Sequence, residues 1–599
     1  MRGKHNSENK PKDFKKTIKK LLEYLKEYKV GIIFIIIFSV FSSIFSIVGP
    51  KILGKATTEI SLGLISKLTT GIGINFPKIK NIILILAILY LISAIFSYLQ
   101  SFIMAGISNK ISYDLRKEIV LKINKMPIKY FESKTTGEIL SRLINDVDVV
   151  SNNLSQTLTQ VISSITTLIG VLIMMLSISP TMTLASILIL PIGLLLIAKT
   201  VGKSQKYFTT TQEYIGHINS QVEEIYGGHS IIKTYNAKDT VTKKFDETNE
   251  VLYNSSWKSQ FLSGMMHPIM NFIGNLGYVL VAILGGYLTI KGKIEIGYIL
   301  SFTQYIRSFN QPIASIASIA NIMQSTVAAS ERVFEFLDSP EEVKSPSKTD
   351  TTNIKGNVEF KNVKFGYDKN KIIINDFNIK VKQGEKIAIV GPTGAGKTTI
   401  VKLLMRFYDT TSGEILIDNT NIKEFNRQDL RDLFGMVLQD TWLFNGTIKE
   451  NIRYGKLDAT DEEVIKACQS AHIDHFIKTL PDSYNHVIDE ETTNISSGQK
   501  QLLTIARVIL KNPKILILDE ATSNVDTRTE ILIQKAMDHL MENRTSFIIA
   551  HRLSTIQNAN KIIVMDKGDI IEIGKHKELL KKKGFYYNLY NANFDNEEE

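Results

Sequence analysis

Gly391–Thr399 reads GPTGAGKTT; the apolar run Ile387–Val390 precedes it and the helix-compatible run Thr399–Phe407 follows it. This is a strand, a glycine-rich turn and a helix, the context in which the P-loop form GxxxxGK[ST] binds phosphate. Gly391, Gly396, Lys397 and Thr398 match that form. Glycines let backbone N–H groups curl around phosphate oxygens, and the helix N-terminus adds positive dipole. Lys397 is placed to contact the β- and γ-phosphates, and the Thr398 hydroxyl to ligate Mg2+. Pro392, Thr393, Gly394, Ala395 and Thr399 complete the candidate nucleotide loop.

Working outward, the apolar run Ile515–Leu518 ends in Asp519 and Glu520. Asp519 is placed to hold Mg2+ through water, and Glu520 to orient and polarise an attacking water as general base. A third apolar run, Phe547–Ala550, leads to His551, a candidate contact to the γ-phosphate. Between the loop and Asp519 comes Ile495, Ser496, Ser497, Gly498, Gln499, reading ISSGQ.

With these segments in this order, the chain resembles the ABC ATPase family over nearly all of residues 356–590. The family's signature reads LSGGQ. There it opens a helix whose N-terminus faces the γ-phosphate of ATP held by the opposite subunit. The resemblance implies that Ser496 supplies a hydroxyl and Gly498 a backbone N–H across a dimer interface, with Ser497 and Gln499 in the same segment. Ser497 in place of the first glycine is the clearest departure. The resemblance further implies that Tyr367 stacks on adenine, a contact of about 1–3 kcal/mol by analogy with base stacking. It assigns Gln439 to Mg2+ and water, and Asp526 to the bridge between two nucleotide domains. Glu490 and Glu491 stand where family exporters carry an acidic loop, without the usual glycine.

The first half of the chain has a different character. Val30–Val48 is about 19 residues without a charge, long enough to cross a bilayer core. Further expected spans are Ile82–Ala105, Leu158–Ile178, Met182–Lys199, Met265–Ile290 and Ile296–Ile319, six in all. The N-terminal 29 residues carry ten Lys and Arg; positive-inside bias places them in the cytoplasm, and six crossings return the chain there. The first apolar run is too long for a signal peptide and is followed by no small-residue cleavage pattern. The links 106–157 and 200–264 are basic and helix-compatible and resemble the intracellular extensions of ABC exporters. Within them, Lys129–Asp146 and Glu223–Asp239 look like the two coupling regions, the second docking on the partner's nucleotide domain in that family. Gly54–Lys80, with several Gly and Thr, is expected to be a long outer loop. Arg307 is the one clear charge inside an expected span. Such a charge costs about 2.5–3.5 kcal/mol on insertion scales, so it should face the transport pathway or a packing partner.

The expected fold is thus a membrane α-helical bundle of six helices with long cytoplasmic extensions, fused to an α/β P-loop nucleotide-binding domain. The expected divisions are a basic N-terminus (1–29), a membrane domain (30–335), a linker (336–355), an ATP-binding domain (356–592) and an acidic tail (593–599). Net charge is +11. No groove-reading motif accompanies it, so anionic lipid rather than nucleic acid is the natural partner. The single cysteine, Cys468, allows no internal disulfide and reads as a core residue. The resemblance implies an ATP- and Mg2+-dependent exporter subunit in the plasma membrane, with both termini cytoplasmic. It would work as a dimer and move small hydrophobic or amphipathic molecules: drugs, lipids or peptides. In heterodimeric exporters of the family one subunit keeps the catalytic Glu and carries a less standard signature, so the resemblance, with Glu520 retained beside an altered signature, implies a heterodimer over a homodimer. An ATP-gated channel or a membrane sensor is the alternative use of the same parts.

Overall fold

Phe34, Phe38, Phe41 and Phe45 recur at helical spacing, and three of their rings pack on Phe96 of the next helix, with centroids 5.6–6.0 Å away. They join α2 (Lys29–Thr69) to α3 (Phe76–Ile123). The computed structural model describes residues 13–71, 73–188, 190–343, 351, 353–368, 371–438, 441–488, 495–519, 525–549 and 553–594. The chain divides into two units: Met1–Lys125 with Lys134–Ser339, and Met126–Ser133 with Pro340–Glu599.

The first unit is helical. A short α1 (Phe14–Leu25), capped by Asp13, precedes α2 and α3. After α3 come α4 (Ile128–Glu132), α5 (Thr136–Ser141), a π-turn at Arg142–Asp146, and α6 (Val147–Ile178). Of these, α4 belongs to the second unit. Then follow α7 (Pro180–Ile187), α8 (Leu190–Gly227), α9 (His229–Thr234), α10 (Lys238–Gly264), α11 (Met266–Ile290) and α12 (Gly297–Leu337). Five of the six expected spans each fall on a single long helix, whereas Met182–Lys199 runs across α7 and α8. Among the described residues, Phe14–Thr69, Phe76–Ile123, Thr136–Ile178 and Lys238–Ile290 are the stretches long and apolar enough to cross a membrane. Lipid offers no hydrophobic drive between helices, so small and polar residues join them. Ser108 and Ser151 each donate to the other's carbonyl at 2.8 Å, tying α3 to α6. At the π-turn, Asp146 receives both Nε and Nη2 of Arg332.

The expected outer loop is not a loop. Helix α2 continues to Thr69 and α3 begins at Phe76, which leaves a short turn. The glycines that suggested a loop instead admit close packing. A Cβ on Gly54 would lie 2.1 Å from the Ser301 hydroxyl, and one on Gly297 would lie 1.8 Å from the Gly54 carbonyl oxygen. The threonines stay helical because Thr57 and Thr69 bond back to the carbonyls four residues earlier.

The second unit is α/β. One sheet is antiparallel, in the order β2 (Ile374–Val381), β1 (Val358–Phe365), β4 (Ser412–Ile417), β5 (Thr420–Asn421). The other runs β12 (Asp569–Gly574), β11 (Lys561–Asp566), β3 (Lys386–Val390), β10 (Thr545–Ile549), β9 (Ile515–Asp519), β6 (Phe434–Val437). It is parallel except at its β11–β12 edge. A two-residue pair, β7 (Gly446–Thr447) and β8 (Val487–Ile488), lies apart. Strands β3, β9 and β10 are almost wholly buried, as parallel strands covered on both faces must be. Cys468 lies in this unit's core, where burial pushes its thiol up to about 12.

Candidate nucleotide site

Ligands of open parallel sheets bind beyond the carboxyl ends of the strands. Here Ile549 of β10 pairs with Ile389 of β3 on one side and with Asp519 of β9 on the other. The three strand ends are therefore level. The loop after β3 and the carboxylate ending β9 leave the sheet at the same edge.

Helix α13 (Lys397–Leu404) opens directly from the loop, with Gly396 as its N-cap at φ +101°. Gly391 has φ +155°, and a Cβ there would lie 2.2 Å from the Met565 carbonyl oxygen. A side chain at either position would strain the turn or fill it. The half-buried Lys397 ammonium donates to the Gly391 oxygen at 2.7 Å and the Pro392 oxygen at 3.2 Å. Burial holds its pKa below the ordinary lysine value, and the Asp519 carboxylate acts in the opposite direction. Thr398 is exposed and Thr399 buried. A triphosphate fits this arrangement: left-handed glycines, a helix N-terminus and a partly desolvated ammonium converge on one edge. The Thr398 hydroxyl and Asp519 are hard oxygen donors of the kind Mg2+ takes.

Tyr367 lies two residues beyond β1, half-buried, with its ring edge-on to Phe365 and Tyr408 at 5.0 Å. Its hydroxyl lies 3.3 Å from that of Thr399. Around it stands a group of contacts that no local pattern announced. Lys402 of α13 bonds Glu132 of α4 at 2.6 Å, and the Tyr408 hydroxyl donates to the same carboxylate. The Lys402 ammonium also sits 5.7 Å from the Tyr367 ring centre, and Lys129 donates to the Tyr367 carbonyl at 3.4 Å. Burial would raise the Glu132 pKa, but the Lys402 and Tyr408 hydrogen bonds outweigh it and hold the group below the ordinary range. Burial would lower Lys402; the bond to Glu132 turns the net shift upward.

The signature segment opens the helix Ser497–Lys511. Ser496 caps it: its Oγ accepts from the Gln499 N–H at 3.3 Å, while Gln499 Oε1 accepts from the Ser496 N–H at 2.9 Å. Gly498 is buried, and a Cβ there would lie 2.5 Å from Thr529. The glycine is thus demanded by packing within one chain. Ser497 is exposed, so its side chain meets no such obstacle. Asp526 caps the helix Thr527–Met541, its carboxylate accepting from the Thr529 N–H at 2.9 Å. Arg307 is exposed on α12. Gln439, Glu490, Glu491, Glu520 and His551 lie outside the described residues.

The family model described as ABC transporter transmembrane region matches residues 32–313, and the one described as ABC transporter matches residues 374–523. The chain is 45% identical to the fatty acid ABC transporter ATP-binding/permease protein of Mycobacterium tuberculosis, over 87% of this chain and 83% of that one. It is 41% identical to the Bacillus subtilis ABC transporter ATP-binding protein YfiC, over 92% and 89%. It is 35% identical to the ATP-dependent lipid A-core flippase of Syntrophus aciditrophicus, over 87% and 86%.

Proposed function

Because this chain belongs to the ABC transporter family and carries membrane and ATP-binding parts on one polypeptide, we propose that it exports hydrophobic or amphipathic molecules from the cytoplasm or the inner leaflet. It is a multi-pass membrane ATPase whose hydrolysis drives transport, a half-transporter of the kind that works in pairs. The plasma membrane is its site, with both termini cytoplasmic, as the basic N-terminus supports.

One observation carries the coupling of hydrolysis to movement. Glu132, on a short helix between the long α3 and α6, is bonded to the helix that begins at the phosphate loop. In the proposed site Lys397 and the loop N–H groups hold the phosphates, and Tyr367 lies against the adenine. Thr398, Asp519 and Gln439 hold Mg2+, which neutralises phosphate charge. Glu520 activates water, and His551 contacts the γ-phosphate. Ser496–Gln499 serves the site of the opposite subunit, and Asp526 bridges the two. A nucleotide that binds the closed pair better than the open one shifts the population toward closure. The names of the relatives, a fatty acid transporter and a lipid A-core flippase, support an amphiphilic cargo. Ser497 in the signature, beside a retained Glu520, supports a heterodimer. Arg307 is a proposed pathway residue.

The test is ATPase activity of the reconstituted protein across lipids, drugs and peptides, alone and with a partner half-transporter. Glu520→Gln should retain ATP and abolish nearly all turnover; normal turnover removes Glu520 from its role. A stable, substrate-stimulated dimer of this chain alone would overturn the heterodimer.

A further inference from the structure

Within the first unit lies a cavity of about 400 Å3, in the size range of small-ligand sites. Four helices wall it, at positions inside the first, second, third and sixth expected spans. From α2 come Ser42, Ser43 and Ser46; from α3, Tyr90, Ser93 and Ser97. Helix α6 adds Ser163 and Thr167, and α12 adds Tyr305 and Ser308. Among the described residues that line it, ten carry a hydroxyl and none is Lys, Arg, Asp or Glu.

The hydroxyls fall into two sets. Some hold the walls together: Ser93 donates to the Ser42 carbonyl at 2.8 Å, Ser42 to the Ser93 carbonyl at 3.0 Å, and Tyr305 to the Ile47 carbonyl at 2.9 Å. The others, at Ser43, Ser46, Tyr90, Ser97, Ser163, Thr167 and Ser308, make no side-chain hydrogen bond among the described residues. That is unusual for membrane helices, where such groups commonly bond back to the preceding turn. Thr159 and Thr166 on the same α6 do so at 2.8 Å. Pro50 adds an acceptor: it lacks the N–H that would close on the Ser46 carbonyl.

These groups set the chemistry of a ligand. Each hydroxyl both donates and accepts, and none carries charge. A carboxylate, phosphate or ammonium at this depth would meet no counter-charge on the walls. A purely apolar molecule would leave the hydroxyls unpaired, which is costly. An uncharged group bearing several hydroxyls satisfies both conditions. We propose that this cavity binds the neutral polyhydroxylated headgroup, glycosyl or glyceryl, of an amphiphilic substrate, a refinement that rests on the export reading above.

The full-length protein in nanodiscs tests this, doped with monoglucosyl diacylglycerol, phosphatidylglycerol or plain diacylglycerol of matched acyl chains. ATPase stimulation and lipid retention by native mass spectrometry are read together. The glucosyl lipid should stimulate and be retained at least threefold more than phosphatidylglycerol. A Ser43→Ala/Ser97→Ala/Ser163→Ala variant, checked by thermal unfolding and ATP binding, should lose most of that difference. Should it fail to fold, Thr167→Val keeps the side-chain shape, and its retention of glucosyl lipid should fall at least twofold. Equal response to charged and glucosyl lipid, or full glucosyl preference in the folded variants, would overturn the proposal and leave a merely hydrated cavity. Absence of ATP turnover on every lipid would sink the export reading instead, while lipid retention would still decide the cavity.

Discussion

Helices α4 and α9 are alike in length, and each sits at the turn between two long helices, yet their surroundings differ. Glu132 of α4 is held by Lys402 and Tyr408 of its own chain. Helix α9 has no buried residue, and large apolar side chains stand exposed among its polar ones: Ile231 is 62% exposed, and the adjoining Tyr235 and Tyr226 are 78% and 86% exposed. A pocket beside it joins Ile225, Ile232, Val241 and Phe245 to the polar His229, Lys233, Asn236, Lys238 and Thr242. One connector is completed within the polypeptide, and the other is left with surface to cover. This is the asymmetry expected of a half-machine, and it agrees with the reading of Glu223–Asp239, which contains α9, as the coupling region that in the family docks on the partner's nucleotide domain.

The largest effect should come from the uncovered connector. Ile231→Asp with Tyr235→Asp removes two anchors, each worth about 1.5–3 kcal/mol on burial. ATPase activity should fall at least tenfold, with ATP binding at the phosphate loop preserved in a filter-binding assay. Unchanged turnover would mean that α9 needs no cover. Next comes the covered connector: Glu132→Lys sets an ammonium against Lys402. Substrate stimulation of the ATPase should drop by roughly tenfold, about 1.4 kcal/mol; retained stimulation would make α4 a passive turn.

A pH series sharpens the same contrast. Glu132 is held below the ordinary carboxylate range, so its contribution is fully present above that range. It is lost as pH falls through the lowered value. Hydrogen exchange in α4, compared between wild type and Glu132→Gln, should differ at neutral and mildly acidic pH and converge only below the usual carboxylate range. Helix α9 should show no such dependence. The smallest effect on activity is Tyr408→Phe, which removes from the charged Glu132 one hydrogen bond, about 1.5–3 kcal/mol, and leaves the Lys402 bond in place. The KM for ATP should change less than a few-fold.

Residues that act as neighbours in sequence were readable as such. The phosphate loop needs closely spaced glycines and a lysine in a strand–turn–helix setting, and the apolar run ending in Asp519 is likewise a local pattern. The Glu132–Lys402–Tyr408 group left no trace, because Glu132 stands some 270 positions from its partners. Gly54 and the following threonines were misread as an outer loop. Composition does not separate a flexible turn from helices that pack closely in lipid, since both use small residues. Gly498 was read as a phosphate contact, and the fold adds a second demand on it, contact with Thr529.

Charge-free runs, basic flanks and an ordered series of phosphate-binding motifs determined, from the chain alone, that lipid-spanning helices are joined to a nucleotide-handling α/β unit. These features follow from solvation and backbone geometry, which act over a few neighbouring residues. Only the tertiary structure decided which strand ends stand level, which short helix is satisfied at home, and where unpaired hydroxyls gather in the bundle. Those outcomes depend on contacts between residues far apart in the chain, and no local preference encodes them.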